Sequence, residues 1–153
     1  MNFPRRQILR HLVAASAATV GGAVGFWKPR PTRAAEWPRD AYSASTVADA
    51  LRNLYGTSEV TESPKIKVRA PTRVQSGAVV PVAVSTDLPD VRAISILIDK
   101  NSPPLAAHVN LNGAVAFFAI NVRMPSTSAV RVVVNAGGKL YTPKENIAVV
   151  VGT

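Results

Sequence analysis

The sequence has no cysteine and only two histidines among its 153 residues. Disulfides, thiolate metal sites and cysteine nucleophiles are therefore absent from it, and two imidazoles alone cannot build a His-rich metal cage. Charged residues are also sparse, at 18%, whereas 47% are hydrophobic. Such a chain is too apolar to stay disordered. It has no strongly apolar run of the roughly 20 residues that span a bilayer. Nor is there a strand, glycine-rich loop and helix in succession, so nucleotide binding lacks a physical basis and no cofactor is expected. What remains is one compact domain behind a leader.

The formal charge of +9 suggests nucleic-acid binding until its placement is considered. Residues 1–34 hold six cations (Arg5, Arg6, Arg10, Lys28, Arg30 and Arg33) and no acid, leaving twelve cations against nine acids in the rest. The excess sits mostly in the leader. Lys65, Lys67, Arg69, Arg73 and Arg92 form no run and no aromatic-basic motif, so they are read as a solvated surface and no nucleic-acid partner is expected.

Pro4-Arg5-Arg6-Gln7-Ile8-Leu9-Arg10 followed by a weakly hydrophobic Ala- and Gly-rich stretch over 12–27 resembles a twin-arginine export signal. The stretch is too short for a stable membrane anchor. Cleavage is expected after Ala34, which ends Thr32-Arg33-Ala34, and the destination is the periplasm. Pro4 in place of Ser or Thr and Ile8 in place of Phe are departures from the usual signal.

Behind the leader, residues 35–64 are read as a helix and linker. Val47, Leu51 and Leu54 recur at helical spacing within 40–55, Ser43 or Ser45 can cap the start and Gly56 the end. From residue 65 to 153 short Val-, Ile- and Phe-rich segments are cut by Pro, Gly, Asn and Asp, which predicts an all-β sandwich. Strands are expected near 65–69, 79–85, 93–99, 106–111, 115–122, 129–135, 139–142 and 147–151. Ile94, Ile96 and Ile98 fall on one face, as do Val130, Val132 and Val134 with Arg131 opposite. Ala136-Gly137-Gly138-Lys139 reads as a hairpin turn.

Chemistry-bearing residues are few. His108 lies in a strand-like segment with no nucleophile placed by sequence beside it, so a structural histidine is expected; His11 falls in the leader. Asp87 and Asp90 flank Leu88-Pro89 and read as turn residues, not as an acid-base pair. Asp99-Lys100-Asn101-Ser102-Pro103-Pro104 reads as a stiff loop able to line a partner surface. Neither a triad nor a metal set emerges, so a hydrolase is not expected.

Several strings occur in a recognisable order: the twin-arginine leader, Ala50-Leu51-Arg52-Asn53-Leu54-Tyr55-Gly56, Ala70-Pro71, Gly77-Ala78-Val79-Val80-Pro81-Val82 and Asp99-Lys100-Asn101-Ser102-Pro103-Pro104-Leu105-Ala106. Arg123-Met124-Pro125-Ser126-Thr127-Ser128 and Gly138-Lys139-Leu140-Tyr141 follow. Together they resemble the SoxY family, the sulfur-carrier subunits of the periplasmic thiosulfate-oxidising Sox system. The resemblance implies a non-enzymatic immunoglobulin-like β-sandwich that pairs with a SoxZ-like β-sandwich subunit and meets other Sox enzymes. It also implies a flexible Gly-Gly-Cys-Gly-Gly arm whose cysteine holds the sulfur intermediate.

The sequence departs from that pattern at the arm. Gly152 matches its first glycine, Thr153 stands at the second, and no cysteine follows. A threonine hydroxyl without a base beside it does not exchange a persulfide-type bond. Two explanations stay open: an arm lost from this sequence, or a divergent paralogue that keeps the scaffold for pairing, which Thr153 in place of glycine favours. A periplasmic immunoglobulin-like binding domain with no sulfur-carrying role is the alternative from another class.

Overall fold

The computed structural model describes residues 37–76, 79–144 and 146–152. The chain divides into a unit of residues 1–36 and one of residues 37–153. Arg5, Arg6, His11, Ala34 and Thr153 lie outside the described residues.

Among the described residues two short helices come first, α1 (Arg39–Tyr42) and α2 (Val47–Tyr55). The single helix expected over 40–55 is therefore broken. Thr46 is extended, with φ −125° and ψ 155°, and its hydroxyl oxygen accepts the Asp49 N–H at 3.1 Å. Thr46, and not Ser43 or Ser45, is the N-cap, and a residue that caps this way must leave helical backbone. Gly56 closes α2 in the left-handed region at φ 76°, as its position suggests. Asn53 Nδ2 donates to the Asp40 carbonyl at 2.9 Å and ties the two helices together.

Ten strands follow: β1 (Thr61–Glu62), β2 (Ile66–Arg69), β3 (Arg73–Val74), β4 (Val80–Thr86), β5 (Val91–Ile98), β6 (Leu105–Asn110), β7 (Phe117–Val122), β8 (Ser128–Ala136), β9 (Lys139–Thr142) and β10 (Ile147–Val151). The expected strand over 115–122 starts late, because Val115 is 84% exposed in the preceding turn. β1 and β3 were not legible from the sequence. Each is two residues long and pairs in parallel, β1 with β9 and β3 with β10, too short to show any periodicity.

One sheet is the antiparallel trio β2-β4-β7. The other has seven strands centred on β8, which meets β5 along one edge. Its other edge is shared by β10, opposite Ser128 to Val130, and β9, opposite Val134 to Ala136. The two sheets share one apolar core, where Ile66, Val82 and Val84 of the small sheet join Ile94, Ile96, Ile98, Val130, Val132 and Val134 of the large one. The mostly β class expected from the sequence holds. β5 goes beyond simple alternation, with every residue from Ala93 to Ile98 buried. Its second face is covered too: Leu97 packs with Leu105, Val133 and Leu140 against Ala41, Ala50 and Leu51 of the helices.

The turns behave as read. Asp90 adopts a left-handed φ of 51° between β4 and β5 and pairs with Arg92 at 2.9 Å. Gly137 and Gly138, at φ 57° and 79°, supply the two positive φ angles that a tight β8–β9 hairpin demands. The pairing registers place Val79 and the segments 99–104 and 123–127 at one end of the sheets, together with the end of β10. Segments 87–90, 111–116 and 137–138 lie at the opposite end.

Candidate functional site at the end of the last strand

β10 is held on both sides up to its last residue. Alternation sends Val149 into the core and leaves Val150 41% exposed. On one side Ile147, Ala148 and Val149 pair with β8, and on the other Val150 and Val151 pair with Arg73 and Val74 of β3. The Val151 N–H donates to Thr127 Oγ1 at 3.0 Å and the Gly152 N–H to the Val74 carbonyl at 2.8 Å. The chain is thus fixed through Gly152, and whatever follows starts from a defined point. A Cβ at Gly152 would meet the Val74 oxygen at 3.5 Å, an ordinary contact, so close approach does not by itself require glycine there.

Two neighbouring loops are pinned to this end. The Lys100 N–H donates to Ser128 Oγ at 3.0 Å, and Asn101 Nδ2 donates to the Arg123 carbonyl at 2.8 Å. Arg131 binds Asp99 with two nitrogens, at 2.5 Å and 3.1 Å. Thr127, Val74 and Arg123 were not singled out by sequence reasoning as site residues. Thr127 and Arg123 belong to a string quoted above, but only the β10 register shows that this string braces the last strand.

His108 lies elsewhere, on β6 under α2. Its Nδ1 is 2.9 Å from Ser95 Oγ, which in turn is 2.6 Å from the Tyr55 hydroxyl. Tyr55 and His108 also meet edge to face, with ring centroids 5.9 Å apart. Burial pushes the Tyr55 phenol up to about 12, against the hydrogen bond it shares with Ser95, so it stays protonated and able to donate. Burial likewise lowers the His108 pKa from its usual 6.5, offset in part by Asn110. A neutral imidazole accepting from Ser95, which accepts from Tyr55, satisfies all three groups. Ser95 is fully buried, so this Ser–His pair does not present a nucleophile; it latches α2 to the sheet. The structural histidine expected from the sequence is what the fold contains.

The latch makes a prediction whose sign is set by the lowered pKa. The unfolded chain takes up a proton near pH 6.5 and the folded chain only at lower pH. Stability attributable to His108 is therefore complete above about 6.5 and declines as pH falls below it. Urea midpoints measured between about pH 7.5 and 5 should show that decline, and His108→Gln, which does not titrate, should flatten it. Tyr55→Phe should cost about 1 kcal/mol by removing the Ser95 partner. A midpoint indifferent to both pH and Tyr55→Phe would exclude the latch.

Other candidate chemistry is thin. Among the described residues, no three His, Cys, Asp or Glu side chains come together as a metal would need. No helix among them is long and apolar enough to cross a membrane. A groove of about 790 Å³ lies along β2, β4 and β7 and is lined by residues that include Ala70, Pro71, Pro81, Ala83 and Ala119, with Arg69 its one charged side chain.

The fold and this end define a β-scaffold that carries its C-terminal strand, rigidly seated, to a surface. The family model for the sulfur oxidation protein SoxY matches residues 51–153, and the chain belongs to the SoxY family. The solved sulfur carrier protein SoxY from Chlorobium limicola f thiosulfatophilum is 35% identical, with a TM-score of 0.62, over 75% of this chain and 99% of that one. A protein assigned to the superoxide reductases from Thermotoga maritima is similar in fold alone, at 12% identity and a TM-score of 0.50, over 59% of this chain and 93% of that one. The superoxide reductase (neelaredoxin) from Ignicoccus hospitalis is 16% identical, with a TM-score of 0.47, over 56% and 80%. No curated protein sequence matches.

Proposed function

We propose that the protein is a periplasmic carrier scaffold of sulfur-compound oxidation, an immunoglobulin-like β-sandwich that pairs with a SoxZ-like subunit and presents its C-terminal strand to Sox enzymes without being an enzyme itself. The observation that carries this is the coincidence of the family match, which runs through residue 153, with the double anchoring of β10 and Gly152. A carrier arm needs a fixed root if its swing is to be reproducible, and a strand bound on both sides supplies one. Arg5 and Arg6 direct export by the twin-arginine route, with cleavage after Ala34 releasing the folded domain.

The test is co-purification from the periplasmic fraction. A stoichiometric complex with a SoxZ-like β-subunit is expected, and Arg5→Lys with Arg6→Lys should leave the precursor in the cytoplasm. A folded monomer that ignores such a subunit would sink the pairing, and normal periplasmic yield of the double-Lys precursor would sink the export route.

A further inference from the structure

β6 ends the large sheet on its side, since among the described residues it pairs with β5 alone. Opposite pairs in an antiparallel ladder alternate between exchanging both backbone hydrogen bonds and exchanging neither. The Leu111 N–H donates to the Arg92 carbonyl at 2.8 Å, so the register makes Ile94 and Val109 a bonded pair and Ser95 and His108 an unbonded one. The N–H and C=O of His108 therefore point off the sheet, along its open edge. The side chains agree: an unbonded pair brings them closest, and Ser95 Oγ is 2.9 Å from His108 Nδ1.

Such an edge invites pairing with another chain unless it is short, charged, interrupted by proline or covered. Elsewhere the large sheet ends in short strands, β1 and β3 being two residues each. β6 has six residues, Leu105 to Asn110, with no acid, lysine, arginine or proline among them. What it has instead is a cover. α1 packs against β6, and the Tyr42 hydroxyl is hydrogen-bonded to the His108 backbone, whose outward N–H supplies the proton. The Trp37 ring stacks on Tyr42, with centroids 4.7 Å apart and 12° between planes, and keeps its other side towards solvent. Four residues of helix do not hold themselves in place. Ala41, fully buried, and the bond from Asn53 to the Asp40 carbonyl fasten α1 from beneath and so present Tyr42 at the edge.

We propose that residues 37–42 form a strap over the open edge of β6, in which Tyr42 occupies the outward N–H of His108 and Trp37 shields that contact, and that the strap keeps β6 from pairing with β6 of a second copy. Two identical edge strands are self-complementary about a two-fold axis, because each offers the same outward N–H and C=O to the other. A second copy is therefore the occupant that a bared β6 edge fits. Nothing in this device requires that the last strand carry sulfur.

The test follows the full mature chain, residues 35–153, by amide hydrogen exchange and by sedimentation over a wide range of concentration. The parent should stay monomeric, with a His108 amide that exchanges slowly although it lies outside the ladder. Tyr42→Phe keeps the ring and its stack and removes only the oxygen; it should speed exchange at His108 about fivefold and leave the ladder amides of Ile94 and Val109 as they were. Trp37→Ala with Tyr42→Ala should bare the edge and give dimers in which His108 regains protection as concentration rises. Adding Asn110→Lys, which puts a charge on that edge, should return the double variant to monomer. A parent His108 amide that exchanges like an open loop, or one indifferent to Tyr42→Phe, overturns the strap whether or not the double variant folds. A folded double variant that remains monomeric overturns the guarding role, as do dimers that persist with Asn110→Lys or that protect the amides of β7 and leave His108 open.

Discussion

A protein of these 153 residues, incubated with thiosulfate and the Sox enzymes, is expected to gain no sulfur mass, whereas the same chain with Gly-Gly-Cys-Gly-Gly after Val151 is expected to gain it. Covalent carriage needs a sulfur that ionises near neutral pH, attacks and can later be released. No cysteine occurs in the sequence. Met124 is fully buried and its thioether has no proton to lose, and a threonine hydroxyl has no comparable acidity. The added arm would start where Gly152 stands, on a strand still held by Val74 and Thr127. Intact-mass spectrometry gives an all-or-none answer. An adduct on the unextended chain would overturn this account of the chemistry, and none on the extended chain would show that the docking surfaces have diverged and only the fold is shared.

The second large effect is on stability. Ile96 is fully buried in the middle of β5, opposite Ala107 of β6 and Val132 of β8, and its side chain belongs to the core shared by both sheets. Ile96→Ala removes buried methyl groups and leaves a cavity that two hydrogen-bonded neighbour strands cannot close. The expected loss is about 2–5 kcal/mol. Against a total of about 5–15 kcal/mol for a domain of this kind, that is a large fraction. Phe117→Ala on β7, at a side chain 56% exposed, should stay within about 0.5 kcal/mol. Urea denaturation of both variants decides it; equal midpoints would contradict the core.

Much of this fold was legible because its central strands alternate. Ile94, Ile96 and Ile98 were assigned to the core from period two alone, and all three are fully buried. The same pattern could not reveal that Ser95 and Leu97 on the opposite face are buried as well, since the helices that cover them come from residues 39–55. The helix break was missed for a local reason. Ser43, Ser45 and Thr46 are all competent caps, and only the backbone angles choose among them. His108 could be given a structural role from sequence, but not its partners, because Tyr55 and Ser95 are brought to it by long-range packing. The site at β10 was half legible. Gly152 was named from the family pattern, while Thr127 and Val74, the residues that fix it, are found only through register.

The anchoring of β10 also sets a ruler. Because the chain is held through the Gly152 N–H, no slack can be drawn from the strand to lengthen whatever follows it. With at most about 3.6 Å per extended residue, a cysteine placed third after Val151 reaches at most about 11 Å from it. A reaction centre served by such an arm has to lie within that depth of the contacting surface. A deeper channel would need the whole end of the sheet, 99–104 and 123–127 included, to enter its mouth, so the width of that mouth and the length of the tether are coupled dimensions.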